Sequence, residues 1–126
     1  MSSLMQALNS RTDYLVERQG TVSSNIANAS TPGYISKDMA FDSYLKAQNM
    51  PSVGMAKTRE GHMAGKNIPS KALLTENYDN MKHNGNSVKL DEEMLKMNDI
   101  KLNFNLVNQL YLKHKQAYQL AVRGLR

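Results

Sequence analysis

Near the C-terminus an apolar residue recurs at every seventh place: Leu90, Met97, Phe104, Tyr111, Tyr118 and Leu125. The N-terminal stretch does the same with Leu8, Leu15, Val22 and Ala29. Seven residues are two turns of an α-helix that lies alongside another helix. A strand, whose side chains alternate with a period of two, cannot use this spacing. At ~1.5 Å per residue, a helix from Asp91 to Arg123 is roughly 50 Å long. The pattern predicts an all-α protein whose N- and C-terminal helices pair as an antiparallel coiled coil.

The two seams differ in width. Leu4 and Ile26 extend the first, but its companion positions are Arg11, Arg18 and Asn25. Such a stripe can satisfy one or two neighbours but cannot line a globular core. In the second, Met94 and Val122 are expected to join the seam, with polar companions at Lys101, Asn108 and Lys115. Leu95, Ile100, Leu102, Leu106, Val107, Leu110 and Leu112 widen the apolar surface beyond what one partner helix covers. The 126 residues include two phenylalanines, no tryptophan and nine methionines, a thin and pliable supply for a core. Two helices bury too little to be firmly stable alone. The chain is therefore expected to be ordered by assembly, with copies of itself or other proteins covering the remaining faces.

Between the helices the period is lost. Phe41, Tyr44 and Leu45 have the spacing of a short helix docking beside the long ones, and Val53 to Gly65 has room for a short β-hairpin. The rest reads as loop. The organisation expected is residues 1–34 as helix and turn, 35–89 as an irregular middle partly ordered on assembly, and 90–126 as the second helix. The first and last of these form one helical domain.

No constellation for chemistry is present. His62, His83 and His114 stand far apart, and there is no cysteine, so no metal or cofactor site is expected. Gly61 to Lys66 has three residues between its glycines where a phosphate loop has four, and Asn67 replaces the required Ser or Thr. Asp91, Glu92 and Glu93 suit the first turn of a helix, where the macrodipole favours acids. The net charge of +5 arises entirely after Asp99, from Lys101, Lys113, Lys115, Arg123 and Arg126. A solvated helix face explains most such runs. A basic nucleic-acid binder, or a helix resting on anionic lipid, is the rival reading, and a gel shift at moderate salt or liposome flotation separates them. Met1 to Gln6 carries no charged leader, so any export is expected without a cleaved signal peptide.

One short stretch adds specificity. Residues 25–34 read Asn-Ile-Ala-Asn-Ala-Ser-Thr-Pro-Gly-Tyr. Thr31 precedes proline and is pushed out of the α region. Pro32 and Gly33 suit the second and third places of a type II turn. A heptad helix leading into this run, with Phe41 and Leu45 soon after, resembles the bacterial flagellar rod, hook and hook-junction proteins. Gly85 to Met94 followed by a long helix narrows the likeness to the proximal rod, although neighbouring rod proteins share the front motif. The resemblance implies a non-enzymatic axial subunit of the basal body, exported by the flagellar export apparatus and polymerised into the periplasmic rod. Its implied partners are copies of itself, other rod proteins, the adaptor FliE and the MS ring, with no nucleic acid and no direct lipid contact. It assigns an assembly turn to Asn25, Asn28, Ala29, Ser30, Thr31, Pro32, Gly33 and Tyr34. The heptads assign the helix seam to Leu8, Leu15, Val22, Leu90, Met97, Phe104, Tyr111 and Tyr118.

Overall fold

A computed structural model of the chain describes residues 2–49 and 74–124. Helix α1 spans Ser2–Ala27, strand β1 Ser36–Met39, helix α2 Phe41–Asn49, strand β2 Leu74–Asn77 and helix α3 Leu90–Arg123. The protein is predominantly helical. Helices α1 and α3 form an antiparallel hairpin: Asn25 meets Glu93 at one level, and Arg18 meets Asp99 further along.

Helix α1 has no acid in its first turn and no base in its last, so packing holds it rather than its ends. Helix α3 opens with Asp91, Glu92 and Glu93 in its first turn, and at its other end the Gly124 N–H donates to the Leu120 carbonyl at 2.9 Å. The core between them joins Tyr14, Leu15, Val22, Met39, Tyr44, Ile100 and Val107, with Leu8, Ile26, Phe41, Ala47, Met97 and Phe104 packed around it.

The middle of the chain contributes to this core. Strand β1 pairs antiparallel with β2, Ser36 opposite Asn77 and Met39 opposite Leu74. Both strands flank Val53–Gly65, where the sequence suggests a hairpin; that stretch lies outside the described residues. Helix α2 docks on α1 through aromatic rings. The Tyr14 ring lies 5.1 Å from that of Phe41 and 5.8 Å from that of Tyr44. Its hydroxyl donates to the Met39 carbonyl at 2.8 Å. Arg11, a polar interruption of the α1 stripe, lays its guanidinium over Phe41 at 4.6 Å and Tyr14 at 5.1 Å. The interruption is thus the cover of an aromatic cluster.

On α3 the second seam position differs from the one expected. The buried residues are Glu93, Ile100 and Val107, whereas Met94 is half-exposed and Lys101 and Asn108 face solvent. A seven-residue recurrence fixes one position of a seam but not whether its companion follows after three residues or four. Here it follows Leu90, Met97 and Phe104 by three.

Candidate functional site

The end of α1, the turn after it and the loop before α3 meet in one polar knot. Thr31 to Tyr34 form the expected tight turn. The Tyr34 N–H donates to the Thr31 carbonyl at 3.3 Å, and Gly33 has φ +73°. Asn28 steadies its approach: its side-chain amide donates to the Ser24 carbonyl at 2.8 Å, and its oxygen accepts from the Thr31 hydroxyl at 3.1 Å. The Ala29 N–H donates to the Ile26 carbonyl. Ser30, Thr31, Pro32 and Gly33 are exposed, and Ala29 and Tyr34 are half-buried.

The turn does not stand alone. Asn86, 55 residues beyond Thr31 and wholly buried, donates its amide to the Thr31 carbonyl at 2.8 Å and the Asn28 carbonyl at 2.9 Å. Its side-chain oxygen accepts from the Val88 N–H at 2.8 Å. Two backbone bonds run alongside, Gly33 N–H to the Asn84 carbonyl at 2.9 Å and Ser87 N–H to the Tyr34 carbonyl at 3.0 Å. Gly85 has φ +76°, and a Cβ built on it would lie 3.3 Å from the Gly33 Cα. Two left-handed glycines therefore touch back to back.

Asn25 ties the same knot to β1 and α3. Its amide donates to the Lys37 carbonyl at 2.6 Å and to the Glu93 carboxylate at 2.8 Å. Its oxygen accepts from the Lys37 N–H at 3.1 Å and the Tyr34 hydroxyl at 3.2 Å. All the donors and acceptors of a buried carboxamide are thereby satisfied. Glu93, also buried, pairs with the Lys96 ammonium at 2.8 Å. Ser87 adds a bond from the Ser36 N–H to its hydroxyl at 2.8 Å.

Beside the knot, Arg18 donates two bonds to Asp38, at 2.9 and 3.0 Å. Burial alone would push the Asp38 carboxyl up. The Arg18 bonds, the Met39 N–H and the charges of Arg18 and Lys96 outweigh it and hold the group below the usual carboxylate range.

Of the seam residues, Leu15 and Val22 are buried, and Leu8, Met97 and Phe104 are half-buried against the core. Leu90, Tyr111 and Tyr118 are exposed in the single chain. Asn86, Asp38 and Glu93 were not singled out from sequence; Glu93 reads there only as an acid at a helix start. Among the described residues, no group of three or more His, Cys, Asp or Glu could hold a metal ion. None of their helices is long and apolar enough to cross a membrane.

Long paired helices, a buried polar knot and much uncovered apolar surface define a structural, helix-built subunit. The family described as flagella basal body rod protein matches residues 15–34, the second half of α1 through the last residue of the turn. The flagellar basal body rod protein FlgB of Agrobacterium fabrum is 34% identical over 108 residues, covering 82% of this chain and 80% of that protein. FlgB of Salmonella typhimurium is 32% identical over 109 residues, 80% of this chain and 76% of the relative. FlgB of Borreliella burgdorferi is 24% identical over 122 residues, 88% and 89%. The chain belongs to the FlgB family of flagellar basal body rod proteins, a structural and not an enzymatic family.

Proposed function

We propose that this chain is a structural subunit of the proximal rod of the flagellar basal body, and that it polymerises through its terminal helices into the axial tube. The observation that carries the reading is the imbalance on α3. Eleven large apolar side chains of that helix are exposed, among them Leu95, Leu102, Leu106, Tyr118 and Leu120, while only Glu93, Ile100 and Val107 are buried. Exposed apolar surface on this scale marks a face that another protein covers. Coiled-coil packing between terminal helices of neighbouring subunits, with Leu8, Leu15, Val22, Leu90, Met97, Phe104, Tyr111 and Tyr118 along the seams, would cover it. Residues 25–34 set where α1 stops and how the middle segment leaves the tube wall. The partners are copies of the chain, other rod proteins, the adaptor FliE, the MS ring and the export apparatus, in the periplasm.

The test separates assembly from export. Strains carrying Pro32→Ala or Gly33→Val should export the chain normally, yet isolated basal bodies should contain little of it, and motility should fall. Lost export with normal incorporation of the escaping chain would instead give the turn an export role. Wild-type chain missing from isolated basal bodies would overturn the rod reading.

A further inference from the structure

The chain has one Asn-Gly pair, Asn84–Gly85, and it lies inside the polar knot. Such a pair can modify itself. The glycine nitrogen attacks the side-chain carbonyl carbon, gives up its proton and expels the side-chain nitrogen as ammonia, which closes a cyclic imide. Water then opens the imide at either carbonyl. One opening gives aspartate. The other gives isoaspartate, in which the main chain runs through the former side-chain carboxyl. Water is taken up and ammonia released, and no oxidant or reductant takes part. Glycine favours the attack because it has no Cβ to crowd its nitrogen.

Asn84 is exposed, so water reaches it. The Asn84–Gly85 peptide, by contrast, is held at both edges. Its carbonyl accepts from the Gly33 N–H at 2.9 Å, and its N–H donates to the Lys82 carbonyl at 2.9 Å. The Asn84 side-chain oxygen accepts from the Asn86 N–H at 3.1 Å, and Gly85 stands against the Gly33 backbone. A peptide unit is planar and turns as a whole. Freeing its nitrogen to swing onto the side-chain carbon breaks both edge bonds. Asn86, anchored on the Thr31 and Asn28 carbonyls, fixes the residue that follows.

We propose that Asn84–Gly85 is a self-modification site locked by the polar knot. While the knot is closed, the asparagine persists. When the knot opens, the pair converts, and isoaspartate keeps the knot from closing again. The two products differ in that effect. Among the described residues, Asn84 joins the knot only through its two oxygens, so aspartate can stand in for it. Isoaspartate adds a methylene to the main chain between Lys82 and Asn86. Those two residues are joined by a bond from the Lys82 N–H to the Asn86 carbonyl at 2.8 Å, and the longer chain no longer fits that turn. Time spent open is thereby recorded irreversibly, as when an unfolded state is chemically altered before it can refold.

Trypsin cuts after Lys82 and Lys89, so residues 83–89 come away as one peptide. Chromatography with mass spectrometry separates its asparaginyl, aspartyl and isoaspartyl forms. The purified full chain is warmed in mildly alkaline buffer, with and without denaturant. Conversion should be slower by at least about tenfold in native buffer, where only local opening exposes the pair. Asn86→Ala leaves the reacting pair intact and should remove most of that difference. Ile100→Ala, which loosens the core outside the knot, should remove little of it. Chain converted in denaturant and returned to buffer should divide, the aspartyl fraction refolding like wild type and the isoaspartyl fraction unfolding at lower denaturant. Equal wild-type rates with and without denaturant would overturn the proposal, whether or not Asn86→Ala folds. Faster conversion in native buffer would overturn it too, by making the Asn86 N–H a stabiliser of the attacked oxygen. So would an isoaspartyl fraction as stable as the aspartyl one.

Discussion

Gly33 and Gly85 share a left-handed backbone, but their surroundings separate them. Among the described residues, no atom outside its neighbours lies within 4 Å of a Cβ built on Gly33, whereas one on Gly85 meets the Gly33 Cα at 3.3 Å. A left-handed conformation costs an L-residue about 1–2 kcal/mol. Gly33→Ala should therefore cost about 1 kcal/mol of unfolding free energy, and Gly85→Ala about 2 kcal/mol or more, because backbone must also shift. Denaturant unfolding of the purified variants checks the order, and equal losses would mean that the close approach is not held in solution. Asn86 works at the same scale. Its side chain serves two carbonyls and one N–H from 0% exposed. Asn86→Ala takes the partner of the Val88 N–H and one of two bonds from each carbonyl, and should cost about 1–3 kcal/mol. The turn's sequence reads as self-contained, since Pro-Gly turns usually are. Asn86 was not legible, because a buried asparagine reading a distant turn is spelled like one in solvent.

For the elements, the polar interruptions of α1 turn out to be its attachments. Arg11 covers α2, Arg18 holds β1 through Asp38, and Asn25 holds β1 and α3. The heptad of α1 made its apolar positions legible, but nothing local told where the arginines point. Strands β1 and β2 were illegible for a related reason: four residues each, with no alternation, fixed by partners far along the chain. On α3 the recurrence leaves the companion open between three and four residues, and the sequence reading placed it at four, on Met94 and Val122. That difference can be measured. Ile100→Ala removes a buried side chain and should cost about 2–4 kcal/mol in the free chain. Tyr118→Ala, at an exposed seven-residue position, should cost under about 0.5 kcal/mol yet reduce incorporation into basal bodies. The Arg18–Asp38 link adds a pH dependence. Its carboxyl is held below the ordinary value in the fold, so its contribution is fully present above about pH 4 and declines as pH falls through the lowered value. Asp38→Asn should lose about 1–2 kcal/mol near neutral pH. The gap to wild type should narrow as unfolding is repeated towards about pH 3, below the ordinary carboxylate value; a constant gap would show that the pair does not carry it.

Across the whole molecule, stability is concentrated at one end. The knot, the strand pair and the aromatic cluster all gather around α1 from Arg11 onward and the first half of α3. Beyond Val107 no residue of α3 is buried, and His114 carries a buried ring nitrogen with no partner among the described residues. The remaining turns, Asn108 to Arg123, amount to a helix of sixteen residues with little packing. Most helical stability in proteins comes from a packed face rather than from intrinsic propensity. In the free chain, amide hydrogen exchange should therefore be slow from Val88 to about Val107 and faster by at least about tenfold towards Arg123. If neighbouring subunits cover the exposed leucines of α3, the same amides should become protected in isolated basal bodies, with little change around the knot. Uniform protection along α3 in the free chain would mean that the helix needs no neighbour to stay formed, and the exposed leucines would then have to be explained without assembly.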